Sequence, residues 1–227
     1  MRGEISLWML TKFGMVFFII ALAAIIFSFE ISAREKICDD QSQAIASAIA
    51  GRLAQVIESP AEDEQRVYPF PPGLSLGRAD NVRYYVNITD HKLVSGCTGM
   101  CDGRLVIDVA PASEKSCTGS ASVPYSRLFL HLTPSVDSRG VIADPYGFGE
   151  ILRFSPSDID PAKKSFYLVT IKCGYKLAPP GDERYVRHLY IQDCAHPEIG
   201  QCMQLTDDNI AGNSPVAENI CGFKYET

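Results

Sequence analysis

The chain has no basic stripe. Its 21 lysines and arginines are outnumbered by 27 acids, for a net charge of −6. That balance excludes a nucleic-acid-binding face. Histidine is scarce: His91, His131, His188 and His196 are scattered, and His131 and His188 fall in strand-like runs where a packing or surface role is expected. No phosphate loop, G-x-G-x-x-G, H-E-x-x-H or G-x-S-x-G occurs. No catalytic residue, cofactor site or metal site is assigned, and the chain reads as a non-enzyme. Asp158-Ile159-Asp160 and Asp207-Asp208-Asn209 lack the spacing and bidentate Glu of a calcium loop and read as solvated loops. Glu62-Asp63-Glu64 reads as a solvated connector. No internal repeat or low-complexity tract is present. Charged residues make up 21% and hydrophobic residues 46%, the balance of an ordinary folded chain.

Charge is also missing from Phe13 to Phe29, and only Gly14 and Ser28 interrupt the apolar run there. A helix of that length rises about 25 Å, close to a hydrocarbon core of about 30 Å. Trp8 suits the interface, and Lys12 must snorkel toward headgroups. A membrane segment is expected over residues 4–31. A cleaved secretory signal is the competing reading. The apolar run is long for one, and Ile31-Ser32-Ala33 is a poor cleavage site because Ile31 is bulky. The basic residues flanking the run, Arg2 and Lys12 before it and Arg34 and Lys36 after it, barely favour either orientation.

All eight cysteines follow that segment: Cys38, Cys97, Cys101, Cys117, Cys173, Cys194, Cys202 and Cys221. An even count on one side of a membrane reads as a disulfide framework in an oxidising space. Zinc is the rival. Cys97-x3-Cys101 has near-ligand spacing, but no second knuckle matches it, and only His196 lies close to a cysteine, Cys194. Spacing leaves the connectivity open. Cys194 with Cys202, and Cys97 or Cys101 with Cys117, are local candidates. Asn87-Ile88-Thr89 is the only N-x-Ser/Thr sequon, and Asn87 is a glycosylation candidate. Together these features direct the C-terminal part outward and the N-terminus to the cytosol.

From Ser32 to Ser59 the pattern is helical. Ile37, Gln41, Ile45, Ile49, Leu53 and Val56-Ile57 recur every three or four residues, and alanines permit close packing. Pro60 stops the helix. Nothing between Phe29 and Ile37 demands a break, so Ile5 to Glu58 can form one helix of about 80 Å; two helices with a kink near Ser32 are the alternative. Residues 60–81 read as a linker. The period then becomes that of strands. Val82–Ile88 and Lys92–Ser95 suggest a hairpin turning at Asp90-His91, and further strands are expected at Arg104–Val109, Arg127–Leu132, Phe166–Cys173 and Tyr185–Ile191. The tail beyond Asp193 reads as loops stapled by cysteines. The fold class is α+β: a long N-terminal helix and a mainly antiparallel β, disulfide-bonded head over residues 82–227.

In this order the parts resemble an archaeal type IV pilin-like protein with a class III, prepilin-type signal peptide. Residues 1–3 look like the leader, with Gly3 and Glu4 flanking the cleavage point. Ser6 looks like the serine of the family's Gln-x-Ser-x-Glu-Phe pattern, with Glu4 where glutamine is usual. Trp8 stands where the family has a glutamate. The resemblance implies processing by a prepilin peptidase and assembly with other pilin-like subunits, as homo- or hetero-oligomers, through the N-terminal helix. Trp8 and Lys12 direct the expectation to a minor subunit used for assembly, adhesion or surface interaction, in the membrane or in a cell-surface filament. A single-pass anchored binding domain that enters no filament is the alternative, and an external enzyme is a remote one.

Overall fold

The computed structural model describes residues 2–60, 64–76, 79–97, 100–112, 117–133, 151–156, 165–177, 184–196 and 198–202. One helix, α1 (Arg2–Glu58), runs through both N-terminal segments without interruption. At 1.5 Å per residue it is about 85 Å long. Every residue from 11 to 37 is exposed, and the first buried position is Cys38. The helix is therefore bare from residue 11 to residue 37 and docked from Cys38 onward.

Among the described residues nine strands follow: β1 (Glu64–Pro69), β2 (Leu74–Leu76), β3 (Ala79–Val82), β4 (Tyr84–Lys92), β5 (Cys101–Pro111), β6 (Gly119–Thr133), β7 (Ile151–Phe154), β8 (Ser165–Leu177) and β9 (Arg184–His196). Seven form one sheet in the order β1-β8-β9-β6-β5-β4-β7, and β2 pairs with β3. Every pairing is antiparallel except β6 with β9, which matches Phe129–Thr133 to His188–Gln192 in parallel. The mainly antiparallel head expected above is present.

The docked half of α1 lies on one face of this sheet. Cys38, Ala46, Ile49, Leu53 and Val56 join Tyr84, Val86, Ile88, Leu105, Ile107, Leu128, Leu132, Leu168, Leu189 and Ile191 in the main core. β5 alternates strictly, turning Leu105, Ile107 and Val109 inward. On the opposite face of β8 and β9, Tyr167, Val169, Ile171, Cys173, Tyr190 and Cys194 form a second buried cluster with Cys202. Over β4 and β5 that same face, with Asn87, Thr89, Val106 and Asp108, is only half-buried.

Several expectations are corrected. Ile37 is off the contact stripe, at 38% exposure, while Cys38 and Ser42 are fully buried. The stripe is shifted by one residue only at its start, onto small side chains; Ile49, Leu53 and Val56 are buried as expected. Part of the supposed linker belongs to the head: β1 pairs residue for residue with β8 at the sheet's edge, where Pro69 is tolerated. Asp90-His91 is not a turn. β4 runs through both residues, which pair with Leu105 and Arg104 of β5, and the chain turns after Lys92. β6 begins at Gly119, eight residues before the expected strand.

β6 changes partner along its length, from β5 up to Leu128 to β9 from Phe129. A bulge marks the exchange. Ser126 Oγ and the Arg127 N–H both donate to Asp102 Oδ1, at 2.7 and 2.8 Å, and Arg127 takes a left-handed φ of 51°. Those two bonds hold the Asp102 carboxyl below the usual carboxylate range, the Ser126 bond first. They also hold a non-glycine residue in a backbone region it would otherwise leave.

Candidate membrane anchor and its attachment to the head

From Phe13 to Phe29 the bare part of α1 is apolar on all sides, as a helix in lipid must be. Phe13, Phe17, Phe18, Phe27 and Phe29 are all largely exposed. By length and composition it can cross a membrane. A cation–π pair and an ion pair flank the run. Lys12 leans back one turn and sets Nζ 4.9 Å from the centre of the Trp8 ring, a cation–π contact. At the other end Arg34 donates to Glu30 at 2.9 Å. The candidate processing residues Gly3 and Glu4 lie in the first turn of α1; their side chains fall outside the described residues.

The docked half is attached at its start and at its end. At the start, Cys38 is bridged to Cys117. Asp39 Oδ1 accepts the Thr118 N–H at 3.2 Å. The Gln43 amide makes a two-way contact with the Ser120 backbone: Nε2 donates to the carbonyl at 3.0 Å, and Oε1 accepts the N–H at 3.1 Å. Ser120 already faces Asp108 of β5, and β9 joins β6 only from Phe129. Its remaining backbone groups need other partners, and the helix side chains supply them. Gly119 lets the helix come this close, since a Cβ there would collide with the backbone of Ser42 and Gln43.

At the end of α1, Lys172 of β8 reaches across the core. Its Nζ donates to the carbonyls of Val56, Ile57 and Ser59 at 3.1, 3.2 and 2.6 Å. Those are the terminal carbonyls that a helix leaves without partners, and the negative end of its dipole. Burial lowers the Lys172 pKa, Arg187 adds to that, and Glu64 opposes it.

The cysteines are oxidised, and none of those described is free. Cys194 is joined to Cys202, one of the local pairs expected. The other local expectation is overturned: Cys97 pairs with Cys101, and Cys117 goes to Cys38 on the helix. A pairing between positions 79 apart in sequence has no local signal. Cys173 is disulfide-bonded as well. Cys221 and the Asp158 and Asp207 loops lie outside the described residues. Described His, Cys, Asp and Glu residues form no group of three or more able to hold a metal.

Asn87 is half-buried in mid-strand, between Asp108 and Arg153 on neighbouring strands. Its Oδ1 is buried and accepts no hydrogen bond. His131 and His188, separate in sequence, meet across the parallel pairing. His131 Nε2 lies 2.9 Å from His188 Nδ1. His131 stacks on Tyr190 at 4.4 Å, and His188 stacks on Phe129 at 4.8 Å. Burial pushes the His131 pKa down to about 3, with His188 adding to the shift. Burial lowers His188 too. The row is a packed, uncharged element of the sheet at neutral pH. Sequence reasoning named both histidines without pairing them, because strand order decides which residues become neighbours. No protein family, curated protein or solved structure matches this chain.

Proposed function

We propose that this chain is a pilin-like subunit, of the minor kind, in an archaeal type IV pilus-like surface structure, serving assembly, adhesion or surface interaction. The observation that carries the reading is α1 itself. It is one helix with a bare, apolar run over residues 13–29 and, from Cys38 onward, a part docked on a β-rich head. A subunit that leaves lipid to join a helical bundle needs such a division, since its apolar half is clothed by lipid or by other helices in turn. The Arg2-Gly3-Glu4 start and Ser6 supply the processing signal, with a prepilin peptidase acting at the cytosolic side. The disulfides favour an extracytoplasmic head. The role is structural, with no catalytic residue assigned.

A second reading, a permanently anchored binding domain, is favoured by one contact. Trp8 and Lys12 form an interfacial pair where the pilin pattern has an acid. N-terminal sequencing separates the two. Protein made with a matching prepilin peptidase is expected to begin at Glu4. Retention of Met1, or a start near Arg34, overturns the pilin reading.

A further inference from the structure

The flanking pairs fix more than the presence of a membrane segment. Lys12 and Glu30 stand 18 residues apart on one uninterrupted helix. That is an axial separation of about 27 Å, against a hydrocarbon core of about 30 Å. Between them no charged residue occurs. At the first mark the ammonium leans away from the apolar run and onto Trp8, which is 61% exposed. At the second, Glu30 is neutralised by Arg34 with both side chains about half exposed.

We infer that these pairs are the two lipid–water boundaries of the helix, with the Trp8–Lys12 contact docked in the headgroup layer and residues 13–29 spanning the core. The partner is the lipid headgroup region. An ammonium there keeps water and phosphate oxygens within reach, and an indole ring is most stable at that depth. The other possible seating begins the span at Ile5. It sinks Lys12 about 10 Å into hydrocarbon, where an amine is costly. The chosen register also puts the outer boundary only about 12 Å below Cys38, the first residue bonded to the head. The base of the head, around Asp39 and Thr118, then stands about two helical turns above that boundary, joined to it by the exposed residues 31–37.

The inference rests on the membrane-anchored part of the function proposed above and not on filament assembly. Trp8 is the only tryptophan of the chain, so its fluorescence reports one depth. The full chain, reconstituted in phosphatidylcholine vesicles, is titrated with lipids carrying quenchers near the headgroup or near the acyl end. Stronger quenching by the shallow label is expected. Lys12→Leu is expected to move the indole inward by up to about one helical turn, ~5 Å, raising quenching by the deep label. Stronger deep quenching of the unaltered chain overturns the register, and so does absence of quenching in protein that still floats with vesicles. An indole depth unchanged in K12L overturns the part assigned to Lys12. Failure to float overturns the membrane anchor itself.

Discussion

At Gly119 helix and sheet come into close backbone approach. The glycine's demand is spatial: any Cβ meets the backbone of Ser42 and Gln43, which has no way to swing aside as a side chain would. Gly119→Ala is expected to displace the helix start and destabilise the head by about 1–3 kcal/mol, the usual range for overpacking. Thermal unfolding followed by circular dichroism checks it, and an unchanged Tm contradicts the close approach. The same contact explains why the buried stripe begins at Cys38 and Ser42 and not at Ile37 and Gln41. Ile37 is the larger and greasier side chain, but it is the backbone at Ser42 and Gln43 that lies against Gly119, with Cys38 bonded to Cys117 beside it. A period of three to four residues identifies a face to within one residue, and side-chain volume at the contact decides the rest.

The helix is the element most legible in the sequence. Its length, its greasy first half and its end before Pro60 could all be read, because apolar periodicity and a missing breaker are local properties. Edge strands were the least legible. β1 and β7 are short, and β1 contains charged residues and Pro69, since an edge strand has one side free of pairing. β4 looked like two strands because Asp90-His91 is polar, although both residues pair in register. The end of α1 depends on a residue over a hundred positions away. Lys172 carries no helix-capping signal in its own neighbourhood, yet it donates to three carbonyls of the last turn. Lys172→Met keeps the stem's length and removes the donors. It is expected to cost about 1–3 kcal/mol, the scale of leaving buried polar groups unpaired. Denaturant unfolding measures it, and a loss under about 0.5 kcal/mol would mean that water replaces the ammonium.

At the scale of the molecule the sheet has two parts, β1-β8-β9 and β6-β5-β4-β7, joined by the short parallel pairing of β6 with β9. The stacked histidines sit on that join. Their shifted protonation gives the join a pH dependence. His131 has a folded pKa near 3 against an ordinary value of 6.5, so above 6.5 both states are neutral and its contribution is fully present. As the pH falls through 6.5 the unfolded chain binds a proton that the folded chain refuses, and stability declines until about pH 3. At pH 5 this amounts to about 2 kcal/mol. His131→Phe, which keeps a ring in the stack, is expected to lose less stability between about pH 7 and pH 5 than the parent chain. Chemical unfolding at the two pH values tests it, and equal losses would remove the histidine from the account. None of this arrangement was legible beforehand. The strand-like character of both segments was, but their adjacency is a property of topology.

The bridge from Cys38 to Cys117 has a mechanical consequence. Cys38 is the first point at which the projecting helix meets the head. Tension drawn along the bare helix therefore reaches a covalent link to the start of β6 before it loads the packing of Ile49, Leu53 and Val56. A pull that would otherwise peel α1 from the sheet turn by turn is diverted into a strand hydrogen-bonded to β5, and the docked half of the helix is shielded from it. With the bridge reduced, the same pull falls on Gln43, Asp39 and the apolar contacts in succession, and the head unzips from its base.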